Sequence, residues 1–206
     1  VIAANLTITP ERQQLVDFST PLATGVHEVV VANKLQPPLT TVNDLAGKSV
    51  FINPSTSYMQ SVNAFNEQLK KQGLAPLRVN SAPGNFEPED ILEMINANLA
   101  GYTVVDRYLA LLWQKIYPNL VVYDHIALRE DGNIALAWRK NSPLLRAKLD
   151  PFCASHKLGS SFGNQQIYKY LRSVKWVKSA TSEKELTKFA QVTAIFQKYG
   201  KQYSVD

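Results

Sequence analysis

Short apolar runs alternate with segments of helical periodicity along the middle of the chain. In the helical segment that precedes Gly73, Tyr58, Val62, Phe65 and Leu69 fall on one face. Strands separated by helices at this spacing are typical of an α/β fold, and we expect a largely parallel sheet. Strands are predicted at 29–32, 49–53, 77–80, 102–105, 121–123 and 134–138, and helices at 56–72, 88–98, 108–116 and 142–156.

The two ends of the chain differ from this pattern. Residues 1–4 predict a buried strand with no cap or leader before it, so we expect further sequence upstream of Val1. Residues 159–164 are rich in glycine and serine and predict a loop. A helix with a wide apolar stripe is predicted from about 181 to 199, and this stripe must pack on something. We therefore expect the chain to continue past Asp206.

Composition excludes several classes of site. The 206 residues carry 22 basic and 17 acidic side chains, and the basic excess lies between Lys169 and Lys201. That excess favours a solvated helix face, and no groove-reading motif indicates nucleic acid. The single cysteine, Cys153, excludes an intramolecular disulfide and a cysteine-based zinc site. The three histidines lack metal-ligand spacing, so we expect no metal and no cofactor.

The segment Asn5–Arg12 places an amide, short hydroxyls and an arginine where a strand gives way to a helical turn. Thr9 is suited to the N-cap and Pro10 to the first helical position. Arg12 then falls near Thr7 and Asn5, and its planar guanidinium matches a carboxylate. The alternative is an ordinary capped turn with a solvated arginine.

Two other positions have the right chemistry for a small charged ligand. Ser55, Thr56 and Ser57 lead from a strand into a helix, where free backbone N–H groups suit an anion. Asp106 follows a buried strand, at the sheet edge where ligands bind in open α/β folds. The alternative for both positions is helix capping. Taken with Arg12, these residues predict a site for a zwitterion.

Catalytic motifs are absent from the sequence. It contains no nucleophile elbow, phosphate-binding loop or dinucleotide fingerprint. The glutamates show no pairing that suggests acid–base work, and we expect solvated helix faces or loops for them. We assign no catalytic residue, and we expect this chain not to be an enzyme. The glutamates considered are Glu67, Glu87, Glu89, Glu93, Glu130 and Glu185.

The block ANLTITPERQQLVDFSTPL resembles the signature of type II periplasmic solute-binding proteins of family 3, the amino-acid-binding proteins of ABC importers. The similarity continues through DLAGKSVFINPSTSY and GYTVVDRYLA, in the family's order. It implies that Arg12 and Thr7 hold the ligand's α-carboxylate. Thr56 and Ser57 would assist from the second lobe, and Asp106 would meet the α-amino group.

A narrower resemblance covers the end of the chain. Residues 159–206 are similar to the connector in the membrane-bound lytic murein transglycosylase F family, where a solute-binding-like domain precedes a catalytic domain. The resemblance implies a regulatory domain in the periplasm, in a parent attached to the outer membrane. The catalytic glutamate of that family would lie downstream of these residues.

The resulting expectation is a two-lobed, hinged periplasmic-binding-protein type II fold whose first lobe is truncated at its N-terminus. Lobe one would comprise 1–31 and 135–178, lobe two 32–134, and a helical connector 179–206, with crossings near 31–33 and 134–135. The expected ligand is an amino acid or a cell-wall peptide (muropeptide), and the expected partner is the adjoining transglycosylase domain. The alternatives are an importer binding protein that works with an ABC permease, a catalytic relative such as a small-acid dehydratase, and a domain that binds nothing.

Overall fold

The computed structural model describes residues 1–171, and the predicted helix at 181–199 and the connector at 179–206 lie outside them. Seven strands form one sheet, and six helices and a 3₁₀ turn (Val42–Leu45) accompany it. The strands are β1 Ile2–Thr7, β2 Val16–Phe18, β3 Ala23–Asn33, β4 Ser49–Ile52, β5 Arg78–Ser81, β6 Tyr102–Asp106 and β7 Leu120–Arg139. The helices are α1 Pro10–Leu15, α2 Ser57–Lys71, α3 Pro88–Asn96, α4 Arg107–Gln114, α5 Pro143–His156 and α6 Ser161–Leu171.

The sheet is mixed rather than largely parallel. Its order is β1-β7-β3-β6-β4-β5, and β2 also pairs with β7. Within residues 1–171, β4 pairs in parallel with β5 and β6, whereas β1, β2 and β3 pair with β7 in antiparallel fashion, as does β3 with β6. The prediction of a largely parallel sheet was wrong because the runs at 121–123 and 134–138 are one long strand, β7, which returns beside β3.

The two longest strands, β3 and β7, pair with each other at the centre of the sheet. The register of this pairing extends from Asn33 opposite Leu120 to Ala23 opposite Ile134, with shifts between Ala23 and Val30. Within the irregular stretch, Gly132 lies opposite Val26, and a Cβ atom on this glycine would be 2.8 Å from the Val26 carbonyl oxygen. The two strands therefore approach more closely there than a side chain would permit.

A contiguous cluster of buried hydrophobic residues lies in one half of the sheet, and a smaller buried set that includes Trp138 and Cys153 lies in the other half. Every residue of the contiguous hydrophobic cluster falls between Val29 and Ile126, and we call this region the packed half. The apolar face predicted for the helix at 56–72 is confirmed, since Tyr58, Val62, Phe65 and Leu69 of α2 are all buried. The side chains of Thr7 and Arg12, described below, contact Ser57 and Ser55 of this packed half.

Residues 1–23 and 134–171 form the outer half. Strand β1 exists as predicted but residues 2–5 are exposed, so the prediction of a buried strand was wrong. The reason is its position at the sheet edge, where it pairs with β7 alone. The predicted loop at 159–164 was also wrong in part, because α6 begins at Ser161 and the Ser160 hydroxyl accepts a hydrogen bond from the Gly163 N–H at 3.0 Å. Serine and glycine suit a helix start as well as a loop.

Candidate functional site

All six residues singled out from the sequence line one cavity of about 350 Å³, which we call the polar cavity. Asn5 and Thr7 come from β1, Arg12 from α1, Thr56 and Ser57 from the start of α2, and Asp106 from the end of β6. The fold thus brings together residues that are up to a hundred positions apart in sequence. The cavity is also lined by Ala4, Ser55, Tyr58, Glu87, Pro88, Glu89, Tyr108 and Leu109.

Arg12 is held by a capped turn, as the sequence predicts. The Thr9 hydroxyl accepts a hydrogen bond from the Arg12 backbone N–H at 3.3 Å, and Pro10 occupies the first helical position. The guanidinium donates to the Thr7 carbonyl at 2.9 Å and to the Ser55 carbonyl at 3.3 Å. Within residues 1–171 it forms no ion pair with a carboxylate.

The half-buried position of Arg12 affects its electrostatics. Burial lowers the pKa of the Arg12 guanidinium, while the carboxylate of Glu28 acts in the opposite direction. An arginine remains charged in proteins under all ordinary conditions. The cavity therefore contains a positive charge whose hydrogen-bond partners are neutral carbonyl groups, and an incoming anion would be attracted to it.

The start of α2 supplies hydroxyl groups next to Arg12. Thr56 occupies the N-cap position, but its side chain makes no cap hydrogen bond and instead donates to the Asn53 carbonyl at 2.7 Å. The Ser57 hydroxyl donates to the Thr7 hydroxyl at 3.2 Å. The capping alternative is thus not realised by the Thr56 side chain, and the first-turn N–H groups keep the positive end of the helix dipole beside the cavity.

Asn53 fixes two segments that line the cavity, and sequence reasoning missed it. Its side-chain oxygen accepts hydrogen bonds from the Ser55 N–H at 3.0 Å and from the Ser55 hydroxyl at 2.8 Å. Its amide nitrogen donates to the Phe86 carbonyl at 2.8 Å and to the Gly84 carbonyl at 3.3 Å. One buried side chain therefore holds both the turn before α2 and the loop before α3. The sequence signal for this role is an asparagine that directly follows a strand and precedes a Pro-Ser turn.

Asp106 is a buried carboxylate with an unused oxygen. Its side chain is 3% exposed, and its Oδ1 atom has no hydrogen-bond partner within residues 1–171. It stands at the N-cap position of α4 without making a side-chain cap hydrogen bond, so the capping alternative does not describe it. Burial and the nearby carboxylate of Glu28 raise the pKa of Asp106 to about 7, although hydrogen bonds from Tyr108 and Tyr58 oppose this. An ammonium group would supply the missing partner.

Glu28 is the second buried carboxylate, and sequence reasoning missed it as well. It is 1% exposed and lies opposite Asp106 in the pairing of β3 with β6. The Ser61 hydroxyl donates to one of its oxygens, and Arg129 Nε lies 3.5 Å from the other and donates to Ser61 Oγ at 3.1 Å. A glutamate directly before the apolar run at 29–32 was the available signal, because charge inside a buried strand requires a partner.

Two structural findings limit other kinds of site in the described part of the chain. Residues 1–171 contain no group of three His, Cys, Asp or Glu side chains placed to hold a metal ion. Over the same residues no helix has both the length and the apolar character needed to cross a bilayer.

A second cavity, of about 620 Å³, lies in the outer half, and we call it the apolar cavity. Its lining includes Leu22, Ile134, Leu136, Leu158 and Phe162. It shares Ala4, Asn5 and Tyr108 with the polar cavity, so the two are neighbours across the end of β1.

Comparison with known proteins identifies the family. Residues 1–164 match the model for bacterial extracellular solute-binding proteins, family 3. A membrane-bound lytic murein transglycosylase F from Desulfosudis oleivorans is 29% identical over 78% of the chain and 34% of its own length. One from Methylobacillus flagellatus is 27% identical over 67% of the chain and 28% of its own length. The chain thus spans about a third of the length of these relatives.

A solved structure supports the same fold. An ancestral arginine-binding protein bound to arginine superimposes with a TM-score of 0.64 at 22% identity, over 82% of this chain and 70% of that one. Together with the family match, this likeness confirms the predicted periplasmic-binding-protein type II fold. The chain belongs to the bacterial extracellular solute-binding proteins, family 3.

Proposed function

We propose that this domain binds an amino acid or a short cell-wall peptide through its α-amino and α-carboxylate groups. The observation that carries the proposal is the presence, in one cavity, of a guanidinium without an ion-pair partner and a buried carboxylate oxygen without a hydrogen-bond partner, both within residues 1–171. Groups of opposite charge that line one cavity suit a zwitterion. A ligand without charged groups would leave both the guanidinium and the carboxylate without a charged partner.

Each of the six predicted residues has a role in this proposal. Arg12 gives the ligand carboxylate two parallel hydrogen bonds, assisted by the hydroxyls of Thr7 and Ser57. The first-turn N–H groups of α2, after Thr56, face the same carboxylate. Asp106 accepts from the ligand ammonium. Asn5 borders the cavity beside Thr7 and offers a further amide.

The same arrangement supports hinged closure. With lobe one formed by 1–31 and 135–178 and lobe two by 32–134, Arg12 belongs to the first lobe and Ser57 and Asp106 to the second. A ligand that contacts both lobes favours the closed state because it makes those contacts in that state alone. The long strands β3 and β7 connect the two lobes, and on this proposal bending occurs at their crossings near 31–33 and 134–135.

For the whole protein, we propose a lytic murein transglycosylase whose activity is regulated by this domain. The named relatives support this, and on this proposal the parent works in the periplasm, attached to the outer membrane. The second candidate is the binding protein of an amino-acid ABC transporter, favoured by the likeness to an arginine-bound structure. The two differ in what the gene encodes: a catalytic domain downstream of Asp206 supports the first, and a stop codon shortly after it supports the second.

Isothermal titration calorimetry on the 206-residue chain with a panel of L-amino acids and a murein stem peptide tests ligand binding. We expect Arg12→Ala to weaken binding by about 100-fold, since truncating one partner of a partly buried charge pair costs about 2–5 kcal/mol. Arg146→Ala is the matched control, because Arg146 is exposed and lies 3.9 Å from Asp17 outside the polar cavity. Equal affinity for the Arg12→Ala variant and the control would refute the carboxylate assignment, and no binding by the unmodified chain would refute the proposed function.

A further inference from the structure

Two further carboxylates, Glu87 and Glu89, line the polar cavity. They lie at the start of α3, one directly before the helix and one in its first turn. With Asp106 they give the cavity lining three acidic side chains against one basic side chain, Arg12. The whole chain carries a net charge of +5, so this negative excess is a local property of the cavity.

These two glutamates are not neutralised by the rest of the domain. Within residues 1–171 neither forms an ion pair. Glu87 and Asp90 form a capping box at the start of α3, in which the Glu87 side chain accepts from the Asp90 backbone N–H and Asp90 Oδ2 accepts from the Glu87 N–H at 2.9 Å. The pKa of Tyr108 is raised by burial, by Asp106 and, to a smaller degree, by Glu89. The charge of Glu89 therefore acts on the same part of the cavity as Asp106.

The position of the two glutamates is fixed by the fold. Asn53 donates to the carbonyls of Gly84 and Phe86 and so holds the loop that leads directly into Glu87. The same Asn53 holds Ser55, whose carbonyl accepts from Arg12. The acidic side of the cavity and the arginine side are thus tied to one buried amide. This arrangement makes the separation between the positive and negative groups a built feature of the site.

We infer that the ligand carries a second cationic group, an ammonium or guanidinium on its side chain, which faces Glu87 and Glu89. The inference rests on the proposed function, in which Arg12 and Asp106 hold the α-carboxylate and the α-ammonium. The buried Asp106 oxygen without a partner is the independent sign that a ligand enters this cavity. A basic amino acid gives Glu87 and Glu89 a partner of opposite charge, which an amino acid with an uncharged side chain does not.

Calorimetry with L-lysine and L-norleucine tests the inference, because norleucine has the same four-carbon side chain without the terminal ammonium. For the unmodified chain we expect lysine to bind about tenfold more tightly, the result of two partly exposed charge pairs. In a double Glu87→Gln, Glu89→Gln variant this preference should fall to about twofold or less. Glu93→Gln is the matched control, since Glu93 is exposed on the same helix and does not line the cavity, and it should keep the full preference.

The outcomes distinguish failure of the cationic side-chain inference from failure of the proposed amino-acid-binding function. If lysine and norleucine bind equally and both lose affinity in Arg12→Ala, the amino-acid function stands and the cationic side chain is refuted. If neither binds the unmodified chain, the cationic side chain is refuted, and the proposed function is refuted only if the wider amino-acid panel and the stem peptide also fail to bind. A rise in salt concentration should reduce the lysine preference without any substitution, so the inference is testable even where the double variant folds poorly. A preference that salt leaves unchanged would overturn it.

Discussion

The packed half and the outer half of the sheet share two long strands but differ in how they are covered. In the packed half, α2, α3 and α4 bury a contiguous apolar cluster between Val29 and Ile126. In the outer half, residues 2–5 of β1 are exposed, Cys153 is the buried residue of α5, and Leu144 and Phe162 are 85% and 47% exposed. The difference is one of packing: one half supplies the contiguous hydrophobic cluster, and the other supplies Arg12 on a short capped turn.

The polar cavity lies where the two halves meet. Asp106 and Ser57 belong to elements that pack on the core, and both are buried. Arg12 and Asn5 belong to the outer half and retain exposure. Side chains on well-packed elements are held rigidly, which suits groups whose position fixes specificity. Groups on the outer half are freer to adjust as a ligand enters.

The largest expected change in unfolding free energy comes from a substitution that creates a new cavity in the packed half. Leu69→Ala removes a fully buried side chain from α2 and should lower the free energy of unfolding by about 3–5 kcal/mol. Leu144→Ala makes the same chemical change on α5, where the side chain is 85% exposed, and should change it by about 0.5 kcal/mol or less. Urea denaturation measures both, and similar losses for the two variants would break the comparison.

A smaller change in unfolding free energy should follow from the titration of Asp106, the carboxyl group buried in the packed half. Folding raises the pKa of Asp106 from 3.8 to about 7, so Asp106 binds its proton more tightly in the folded chain than in the unfolded chain. This contribution to stability is fully present below the unfolded pKa and is lost as pH rises toward 7. From about pH 4.5 to about pH 6.5 the loss is about 1.4 kcal/mol per pH unit, or about 3 kcal/mol in all.

Asp106→Asn isolates this contribution. The groups that face Asp106 are Glu28 on β3, Tyr58 on α2, Tyr108 on α4 and Arg129 on β7, and all remain in the variant. The unfolding free energy of the unmodified chain should therefore fall relative to that of the variant over this pH range, as measured by urea denaturation at several pH values. A constant difference between the two proteins would show that Asp106 titrates normally.

The smallest effect should come from the junction between the halves. Gly132→Ala places a Cβ 2.8 Å from the Val26 carbonyl oxygen and should force β3 and β7 apart, at a cost of about 1–3 kcal/mol in unfolding free energy. Gly84→Ala is the control, because a Cβ there meets no atom within 4 Å. Thermal unfolding compares them, and equal melting temperatures would show that the close strand approach is dispensable.

Local chemistry made several parts of this molecule predictable from sequence. The cap at Thr9, the apolar face of α2 and the position of Asp106 at a strand end all depend on residues within one or two turns of chain. The resemblance to the family then placed Arg12, Ser57 and Asp106 in one cleft. The structure brings them together, and their binding role stays a prediction.

The rest depended on contacts between distant segments. The continuity of β7 through the turn-like Glu130-Asp131-Gly132 stretch follows from its pairing with β3, which no local pattern reveals. Glu28 was missed because its partners, Ser61 and Arg129, lie 33 and 101 positions away. Glu87 and Glu89 were taken as solvated glutamates, since only the loop held by Asn53 brings them to the cavity.

The contacts of Arg12 have a consequence for how any ligand gains affinity here. The guanidinium already donates to the Ser55 carbonyl, and the Ser57 hydroxyl already donates to Thr7. An arriving carboxylate that takes either of these donors exchanges one hydrogen-bond partner for another. The gain is then the difference between a charged and a neutral acceptor. Esters and amides of the same amino acid, which offer only a neutral carbonyl, should gain almost nothing from Arg12.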